Sequence, residues 1–579
     1  MPVALGLGVP PHTPHAIPVS LPTWRDNVGY EGGEQRVVDA MISGYPRFFN
    51  HLSIRRLATI CEHKYAVGNE QCMLFPARAI AAQCRDFIRR RSQTDVQPRL
   101  HCRSAHRPLS LRHVQPRERV LATHRTRLAE KCLSLPPDES KFTSFSSHRT
   151  HPRPPLLRQK NSKIASTSPT LPNSTPTNLP TSLLSPDLEE RYGRNLPLSS
   201  AESAKRALPR RIAGTLIRYE SADCGDEPCA GQGSTKTGPS LRGVKSVTED
   251  DVYLYPCGVA AIWSAHRSLR EIRPEGKSVC FGFTYTDTLK IQKWGPGAHF
   301  YGSGLDSDID SLTHLLESSS PPPGVPPILS LFTEFPSNPL LRSANLPKLR
   351  ALADKYNFLI VVDETFGNFV NCYGASDVMG GSLVLNPNSK HYLLLKSHLS
   401  KTYIDTYFNA DGIYLERNSR DFKHRISRID KNTESICDFL YSHSVAGGYD
   451  PAKAAIKAVF YPKYITPENY ALCKSTTTAS PTLPNTGNFG GLFSLTFTTP
   501  SASSTFFDSL PCYKGPSLGT NFTLACPYTV LAHYGELEWA EEWGVERGLV
   551  RVSVGLDLCR PEEGGEKGGM GLWMGLLRL

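Results

Sequence analysis

The sequence lacks two features of exported or membrane-bound chains. It has no run of roughly 18 consecutive apolar residues, and its proline- and histidine-rich start has no basic segment followed by an apolar one. A membrane-spanning helix needs the first feature, and a secretory signal needs the second. We therefore expect no membrane partner and a cytoplasmic location.

Paired cysteines are also missing. The chain has 15 cysteines, but none form the C-x-x-C spacing typical of a zinc site or a redox dithiol. We therefore predict free thiols and no metal site.

The positive charge is confined to one segment. The whole chain carries 65 Lys+Arg against 54 Asp+Glu, a net charge of +11. Residues 91–165 hold 16 of the basic and 5 of the acidic residues, so this segment alone accounts for the excess of 11. A nucleic-acid binder would have to use this segment, which has few aromatic residues for base stacking. We predict no nucleic-acid partner.

Composition divides the chain into four parts. Residues 1–90 form an N-terminal extension, and residues 91–185 are basic and then rich in Ser, Thr and Pro. The second part is too poor in apolar residues to offset the entropy of ordering, so we predict that it is disordered. Residues 186–418 are predicted to form a large domain and residues 419–579 a smaller C-terminal one.

The large domain is predicted to be α/β with a parallel sheet. Continuous apolar runs at 278–283, 328–332 and 358–362 are typical of strands covered on both faces. A crossover helix precedes the last run, because Asn345 can cap it, Pro347 suits its first turn and Asn357 can end it. Near the C-terminus, residues 490–498 and 549–555 alternate instead, which predicts a sheet with one open face in an α+β domain.

The residues that follow these strands indicate a cofactor. Cys257-Gly258-Val259 form a tight turn into a helix, whose free N–H groups could hold a phosphate. Tyr285 could lie over a planar ring, Asn338 lies in a turn with two prolines, and Asp363 directly follows five apolar residues. Function lies at the carboxyl ends of strands in such sheets. A phosphate turn, an aromatic and a buried Asp together indicate pyridoxal phosphate, whose ring nitrogen pairs with an Asp.

These motifs resemble the Cys/Met-metabolism pyridoxal-phosphate enzymes, and within them the fungal cystathionine γ-synthase branch. The resemblance covers roughly residues 11–91 and 188–556. It implies the type I aminotransferase-like fold, with a mostly parallel seven-stranded sheet in the large domain.

The resemblance also implies roles for the residues around the cofactor. Cys257-Gly258-Val259 takes the place of the family's Ser-Gly-Met phosphate turn, and Tyr285 stacks on the ring and acts in catalysis. Asn338, in the motif Glu334-x-Pro-Ser-Asn-Pro, approaches the ring hydroxyl, and Asp363 pairs with the ring nitrogen.

Further motifs imply a substrate site and an assembly. Arg551 binds the substrate carboxylate, and Ser517, in Ser-Leu-Gly, lies beside it. Tyr192 and Arg194 match the family's Tyr-x-Arg, which reaches the cofactor phosphate of a neighbouring subunit. The resemblance therefore implies a homo-oligomer with shared active sites, a dimer of dimers.

One residue of the family pattern is missing. The Schiff-base lysine should lie between Asp363 and Gly381, but this stretch contains no lysine and is about twenty residues shorter than the family pattern near Cys372 and Tyr373. Lys390 lies 27 residues after Asp363, a comparable spacing, but it follows the Val-Met-Gly-Gly segment instead of preceding it.

The implied reaction condenses an O-acyl-homoserine with cysteine to give cystathionine, a step of methionine biosynthesis. Whether the ester is acetyl or succinyl, and whether the chain runs the synthase or the lyase direction, stays open. The missing lysine leaves an alternative: a catalytically inactive homologue or partner subunit. An incomplete gene model, with an exon skipped, is a further interpretation of the same gap.

Overall fold

The computed structural model describes residues 3–94 (except 14, 43, 45–48 and 69), 200–216, 247–367, 376–474 and 489–557. Within these ranges, no helix is both long enough and apolar enough to span a bilayer. The predicted disordered part lies outside the described residues, apart from 91–94, which end a helix.

The described part of the extension contributes four helices, and the next described helix lies at the start of the predicted large domain. They are α1 (Trp24–Gly32), α2 (Gln35–Ala40), α3 (Leu52–Tyr65), α4 (Arg78–Thr94) and α5 (Ala201–Leu216).

The large domain alternates strands and helices. In chain order they are β1 (Val252–Tyr255), α6 (Gly258–Ile272), β2 (Ser278–Phe281), α7 (Thr286–Gln292), β3 (Ala298–Tyr301), α8 (Asp306–Ser318), β4 (Ser330–Glu334), α9 (Leu346–Tyr356), β5 (Leu359–Asp363), β6 (Gly381–Val384), α10 (Tyr392–Thr402) and α11 (Asn409–Asn418).

The C-terminal part begins with a long helix. Its elements are α12 (Phe422–Ser442), β7 (Ile456–Phe460), α13 (Pro467–Ala471), β8 (Leu492–Phe497), α14 (Pro500–Ser509), β9 (Tyr513–Lys514), β10 (Leu524–Pro527), α15 (Tyr528–His533), α16 (Leu537–Glu542) and β11 (Val550–Ser553). The domain boundary predicted at residue 418 falls between α11 and α12.

The predicted parallel sheet is confirmed. Its order is β3-β2-β4-β5, and all neighbouring strands are parallel. One face packs on α8 and α9 through residues such as Leu312 and Leu349, and the other face packs on α6 through residues such as Ile262. Helices on both faces explain why the strands read as continuous apolar runs.

The crossover helix α9 also forms as predicted. The Asn345 side chain accepts a hydrogen bond from the Lys348 N–H at 3.2 Å, and Pro347 lies in the first turn. Asn357 ends the helix in the left-handed conformation, with φ of 57°. The following strand then delivers Asp363 at its carboxyl end.

The sheet of the large domain is interrupted beside β5. In the described residues β5 pairs with β4 alone, while β6 pairs antiparallel with β1 as a separate two-stranded sheet. Helix α6 contributes to one apolar cluster with Leu359 of β5 and Leu383 of β6, so it packs on both sheets. The described residues of this domain thus form six strands in two sheets, whereas the resemblance implied one sheet of seven.

The C-terminal sheet has the order β7-β8-β11-β10-β9, and antiparallel pairs dominate. The prediction of one open face is wrong, because every residue of β8 and β11 is buried. The alternation has another cause: Phe493, Leu495 and Val552 belong to the domain core, whereas Arg551 and Ser553 are the buried polar residues between them. The polar side of the sheet is covered, and it carries the predicted substrate arginine.

The N-terminal extension packs on this domain. Val19 and Leu21 share an apolar cluster with Tyr528 and Leu531 of α15, and the Leu21 N–H donates to the Lys514 carbonyl at 3.1 Å. Helix α1 begins with a reciprocal cap between Thr23 and Asp26. The extension is therefore part of the folded core.

We expect Leu21→Ala to lower the free energy of unfolding by about 2 to 5 kcal/mol, because the side chain is fully buried. Leu393→Ala is the matched control, since Leu393 is 79% exposed. It should change stability by less than about 0.5 kcal/mol. Denaturant unfolding measures both, and equal effects would show that the extension contributes nothing to stability.

Candidate active site

The N-terminus of α6 forms the predicted phosphate turn. Cys257 precedes the helix in an extended conformation, its side chain makes no capping hydrogen bond, and Gly258 is exposed. A Cβ built on Gly258 meets nothing within 4 Å, so the space in front of the turn is open. The first N–H groups of a helix have no intrahelical partners, and this turn can therefore bind an anion.

A glycine of β6 packs closely against this turn. Gly381 pairs with Tyr255, and a Cβ at Gly381 would lie 2.4 Å from the Cys257 carbonyl oxygen. Only glycine fits at this distance. The close approach fixes the turn on the two-stranded sheet.

A buried carboxylate holds two predicted site residues in place. The Tyr285 N–H donates to Oε1 of Glu334 at 2.5 Å, and the Asn338 N–H donates to Oε2 at 2.9 Å. Burial raises the pKa of Glu334 well above its ordinary value, and the nearby Asp363 carboxylate adds to this effect. The two N–H donors and Arg551 oppose it. Through these two hydrogen bonds, Glu334 connects Tyr285 to the turn that contains Asn338.

Asn338 connects this carboxylate to the predicted substrate arginine. Its Oδ1 accepts a hydrogen bond from Nη1 of Arg551 at 3.1 Å, and its Nδ2 donates to the Tyr528 hydroxyl at 3.1 Å. Nη2 of Arg551 donates to the Pro516 carbonyl at 2.9 Å. The guanidinium lies over the Tyr528 ring, with its carbon 4.8 Å from the ring centre.

Asp363 lies at the carboxyl end of β5, opposite Glu334 of β4. Its Oδ1 accepts hydrogen bonds from the Thr365 N–H at 2.9 Å and from the Thr365 hydroxyl at 2.6 Å. No hydrogen bond from the described residues reaches Oδ2. The half-buried carboxylate is therefore oriented by Thr365 while one oxygen stays available to a cation such as a pyridinium N–H.

Ser517 lies in the loop after β9, next to Pro516. Its hydroxyl is buried and makes no hydrogen bond to any residue that the structure describes. A buried hydroxyl without a partner is uncommon and marks a place where a ligand atom could bond.

The structure brings most of the predicted residues together. One hydrogen-bonded chain runs from Tyr285 through Glu334 and Asn338 to Arg551. Cys257 and Tyr285 pack against the cluster that contains Val259. Tyr192 and Arg194 lie outside the described residues, so their predicted role stays a prediction.

These residues fit the phosphate, ring and amino-acid carboxylate of a bound pyridoxal phosphate and its substrate. Among the described residues nothing fills the space at Gly258, and no hydrogen bond reaches Oδ2 of Asp363 or the Ser517 hydroxyl. They do not fit its covalent attachment, because the sequence from Asp363 to Gly381 has no lysine.

Lys390 lies at the wrong end of the sheet to replace that lysine. It is exposed, and its charge acts on Asp354 of α9. The next residue, His391, is hydrogen-bonded to Arg273 at 2.8 Å, and Arg273 also bonds the Asn357 carbonyl. Asn357 precedes β5, whereas Asp363 ends it, so about 15 Å of strand separates the two ends.

Sequence reasoning missed Tyr528. Its position directly after β10 is the same kind of signal that identifies Tyr285. The hydrogen bonds of Glu334 were also missed. Its partners Tyr285 and Asn338 lie 49 and 4 positions away in the sequence, and no local pattern shows that one carboxylate joins them.

The chain is similar to a described family in its N-terminal part. Residues 53–141 match the family model "Fungal trans-sulfuration enzyme, N-terminal domain". The match runs across the predicted boundary at residue 90 into the basic segment, and that boundary stays a prediction.

Similarity to individual fungal proteins covers nearly the whole chain. The cystathionine γ-synthase-like enzyme iboG2 of Amanita muscaria is 47% identical, over 96% of this chain and 94% of that protein. The cystathionine γ-synthase of Neurospora crassa is 38% identical, over 96% of each chain. The first alignment spans 599 positions and this chain has 579 residues, so at least 20 positions face a gap in this chain.

Similarity to solved structures is weaker. Cystathionine γ-synthase from Xanthomonas oryzae pv. oryzae, in complex with cystathionine, is 18% identical with a TM-score of 0.44, over 65% of this chain and 97% of that one. The full-length fungal matches decide the family. The chain belongs to the fungal trans-sulfuration enzymes, as a member of the cystathionine γ-synthase family.

Proposed function

We propose that this chain has the substrate site of a cystathionine γ-synthase, which condenses an O-acyl-homoserine with cysteine. The observation that carries the proposal is the hydrogen-bonded chain from Tyr285 through Glu334 and Asn338 to Arg551. It links the side where a cofactor ring would lie to an arginine that can bind an amino-acid carboxylate.

Pyridoxal phosphate is the proposed cofactor. The open turn at Cys257-Gly258-Val259 would bind its phosphate, Tyr285 would lie against its ring, and Asp363 would keep its ring nitrogen protonated. When bound, the cofactor supplies an electron sink for carbanions of the amino-acid substrate.

Arg551 is proposed to bind the substrate carboxylate. A guanidinium fork binds a carboxylate through two parallel hydrogen bonds, and the charge attraction is stronger where water is excluded. Arg551 is only 5% exposed, so its charge is little screened by water. Asn338 and the Pro516 carbonyl hold one N–H each and limit the directions in which the fork can point.

The missing lysine separates binding from catalysis in this proposal. Loss of a general base costs roughly 10²- to 10⁴-fold in rate, and the covalent anchor of the cofactor is lost with it. We therefore propose a chain that binds cofactor and amino acid but turns over slowly. In this proposal, the synthase reaction requires a site that contains the lysine.

A second candidate is a partner subunit of an active homologue. Tyr192 and Arg194 match a motif that serves the neighbouring subunit, so this chain could complete another site without a lysine of its own. The same motif supports a homo-oligomer, proposed as a dimer of dimers. Relatives also differ in activity: an alanine racemase of Aspergillus violaceofuscus is 30% identical over 96% of this chain.

The first test concerns the cofactor. The chain is incubated with pyridoxal phosphate, reduced with borohydride and digested for mass spectrometry. We expect reversible binding of the cofactor and no stoichiometric cofactor-labelled lysine. A single labelled lysine, at Lys390 or elsewhere, would contradict the proposed loss of attachment.

The matched control is a chimaera in which residues 364–380 are replaced by the corresponding segment of the Neurospora crassa enzyme. It should acquire one labelled lysine and form cystathionine from O-acyl-homoserine and cysteine at least about 100 times faster than the original chain. A chimaera that folds and carries the label, yet makes no cystathionine, would show that the proposed reaction is wrong.

A further prediction concerns the charge of Glu334. Its pKa in the folded chain is raised above the ordinary value of 4.5, so its contribution to stability is complete below that pH and is lost as the pH rises through the folded pKa. Glu334→Gln cannot ionise, although it loses one accepted hydrogen bond, at a cost of about 1 to 3 kcal/mol. We expect the variant to be less stable near pH 4.5 and to approach or exceed the original chain at higher pH.

The control is Glu34, whose pKa is shifted in the opposite direction. A hydrogen bond from Arg36 lowers the pKa of the exposed Glu34, so its stability contribution is present above its ordinary value of 4.5 and is lost as the pH falls through the lower folded value. Unfolding of Glu34→Gln as a function of pH should therefore show the reverse trend. A constant difference between Glu334→Gln and the original chain would mean that Glu334 does not titrate abnormally.

A further inference from the structure

The guanidinium of Arg551 is held by Asn338, Pro516, Tyr528 and the Cys526 thiol, which hydrogen-bonds to it. Asn338 Oδ1 lies 3.1 Å from Nη1, the Pro516 carbonyl lies 2.9 Å from Nη2, and the Tyr528 ring centre lies 4.8 Å from the guanidinium carbon. The two hydrogen bonds are donated by different nitrogens of the guanidinium, and its carbon lies over the Tyr528 ring.

Tyr528 also acts on a second partner of the arginine. Its hydroxyl accepts a hydrogen bond from Asn338 Nδ2 at 3.1 Å, while the other atom of the same amide, Oδ1, accepts from Arg551. A guanidinium only donates hydrogen bonds, so Arg551 fixes which way the Asn338 amide is turned, and the hydroxyl, which can donate or accept, holds the amide in place. If the amide rotated by half a turn, an N–H₂ group would face the guanidinium.

The position of Tyr528 is fixed by the fold. It is the first residue of α15, directly after β10, and it is 5% exposed. It packs in the cluster that includes Val19 and Leu21 of the N-terminal extension. The extension thus belongs to the same apolar cluster as the ring.

We propose that Tyr528 is a positioning residue for Arg551: its ring supports the guanidinium, and its hydroxyl holds the Asn338 amide that bonds one arm. The consequence for binding rests on the proposed function, because the ligand is the carboxylate of an amino acid. The consequence for the arginine itself does not.

The first experiment measures Arg551 without any ligand. The whole chain reacts with phenylglyoxal, which modifies accessible arginines, and mass spectrometry follows the peptide that contains Arg551. Tyr528→Leu removes the ring contact and should speed modification of Arg551 about tenfold, the range expected for loss of a desolvated cation–π contact. Tyr528→Phe keeps the ring and should stay within about threefold of the original chain.

The matched control is Tyr461→Phe. Tyr461 is also fully buried in the C-terminal domain, and its hydroxyl donates to the Gly490 carbonyl at 3.2 Å, away from Arg551. It should leave the modification rate of Arg551 unchanged. Thermal unfolding of every variant shows whether it is folded, and Tyr528→Phe keeps the test open if Tyr528→Leu is not.

The second experiment measures binding of O-acetyl-L-homoserine by calorimetry, with pyridoxal phosphate present, and compares it with the methyl ester of the same compound. Tyr528→Leu should weaken binding of the free carboxylate about tenfold and leave binding of the ester unchanged. Tyr528→Phe should weaken the carboxylate about threefold. In an Arg551→Ala background neither change at Tyr528 should have a further effect, because the two residues act as one unit.

The outcomes separate the two proposals. An unchanged modification rate of Arg551 in Tyr528→Leu would overturn the positioning role, as would an equal loss of affinity for the acid and the ester. Faster modification together with no binding of O-acetyl-L-homoserine to the original chain would uphold the positioning role and count against the proposed function.

Discussion

The site depends on one buried carboxylate. Glu334 accepts hydrogen bonds from the N–H groups of Tyr285 and Asn338, which lie in two loops that follow different strands, and without it both N–H groups would lose this acceptor. Burial and the facing Asp363 carboxylate both oppose its ionisation, while its two N–H donors and Arg551 favour it. Burying this carboxylate costs desolvation free energy, but its two oxygens can accept one hydrogen bond from each loop.

The break between the sheet that contains β5 and the sheet that contains β6 explains how the proposed binding residues can stay in place without the proposed catalytic lysine. Tyr285, Asn338 and Asp363 follow strands of the four-stranded sheet, and the phosphate turn follows β1 of the two-stranded sheet. Helix α6 packs on both sheets and keeps these groups near one another. The connection between β5 and β6, where the lysine is missing, carries none of the other predicted residues. The proposed shortening would therefore remove one function and leave the others in place.

Local signals in the sequence predicted the elements and most of the candidate site, because a strand end or a helix cap is set by neighbouring residues. Asn345 and Asn357 bound α9 as expected, and the strands deliver Asp363 and Asn338 at their carboxyl ends. The contacts that organise the site are non-local: Asn338 and Arg551 are 213 residues apart. Alternating patterns show that a sheet has a polar face, but they do not show whether another part of the chain covers it.

The N-terminal extension helps to cover the polar face of the C-terminal sheet, which carries Arg551, and so contributes to the candidate site. Leu21 and Val19 pack in the cluster that holds Tyr528, and Tyr528 contacts Arg551. A buried arginine is stable only if its charge and its donors are satisfied, and here an amide, a carbonyl and an aromatic face provide for them. An arginine satisfied in this way is oriented before any ligand arrives, so less conformational entropy is lost when a carboxylate binds. A family-specific extension can therefore adjust substrate affinity from outside the site, through the residues that support one ring.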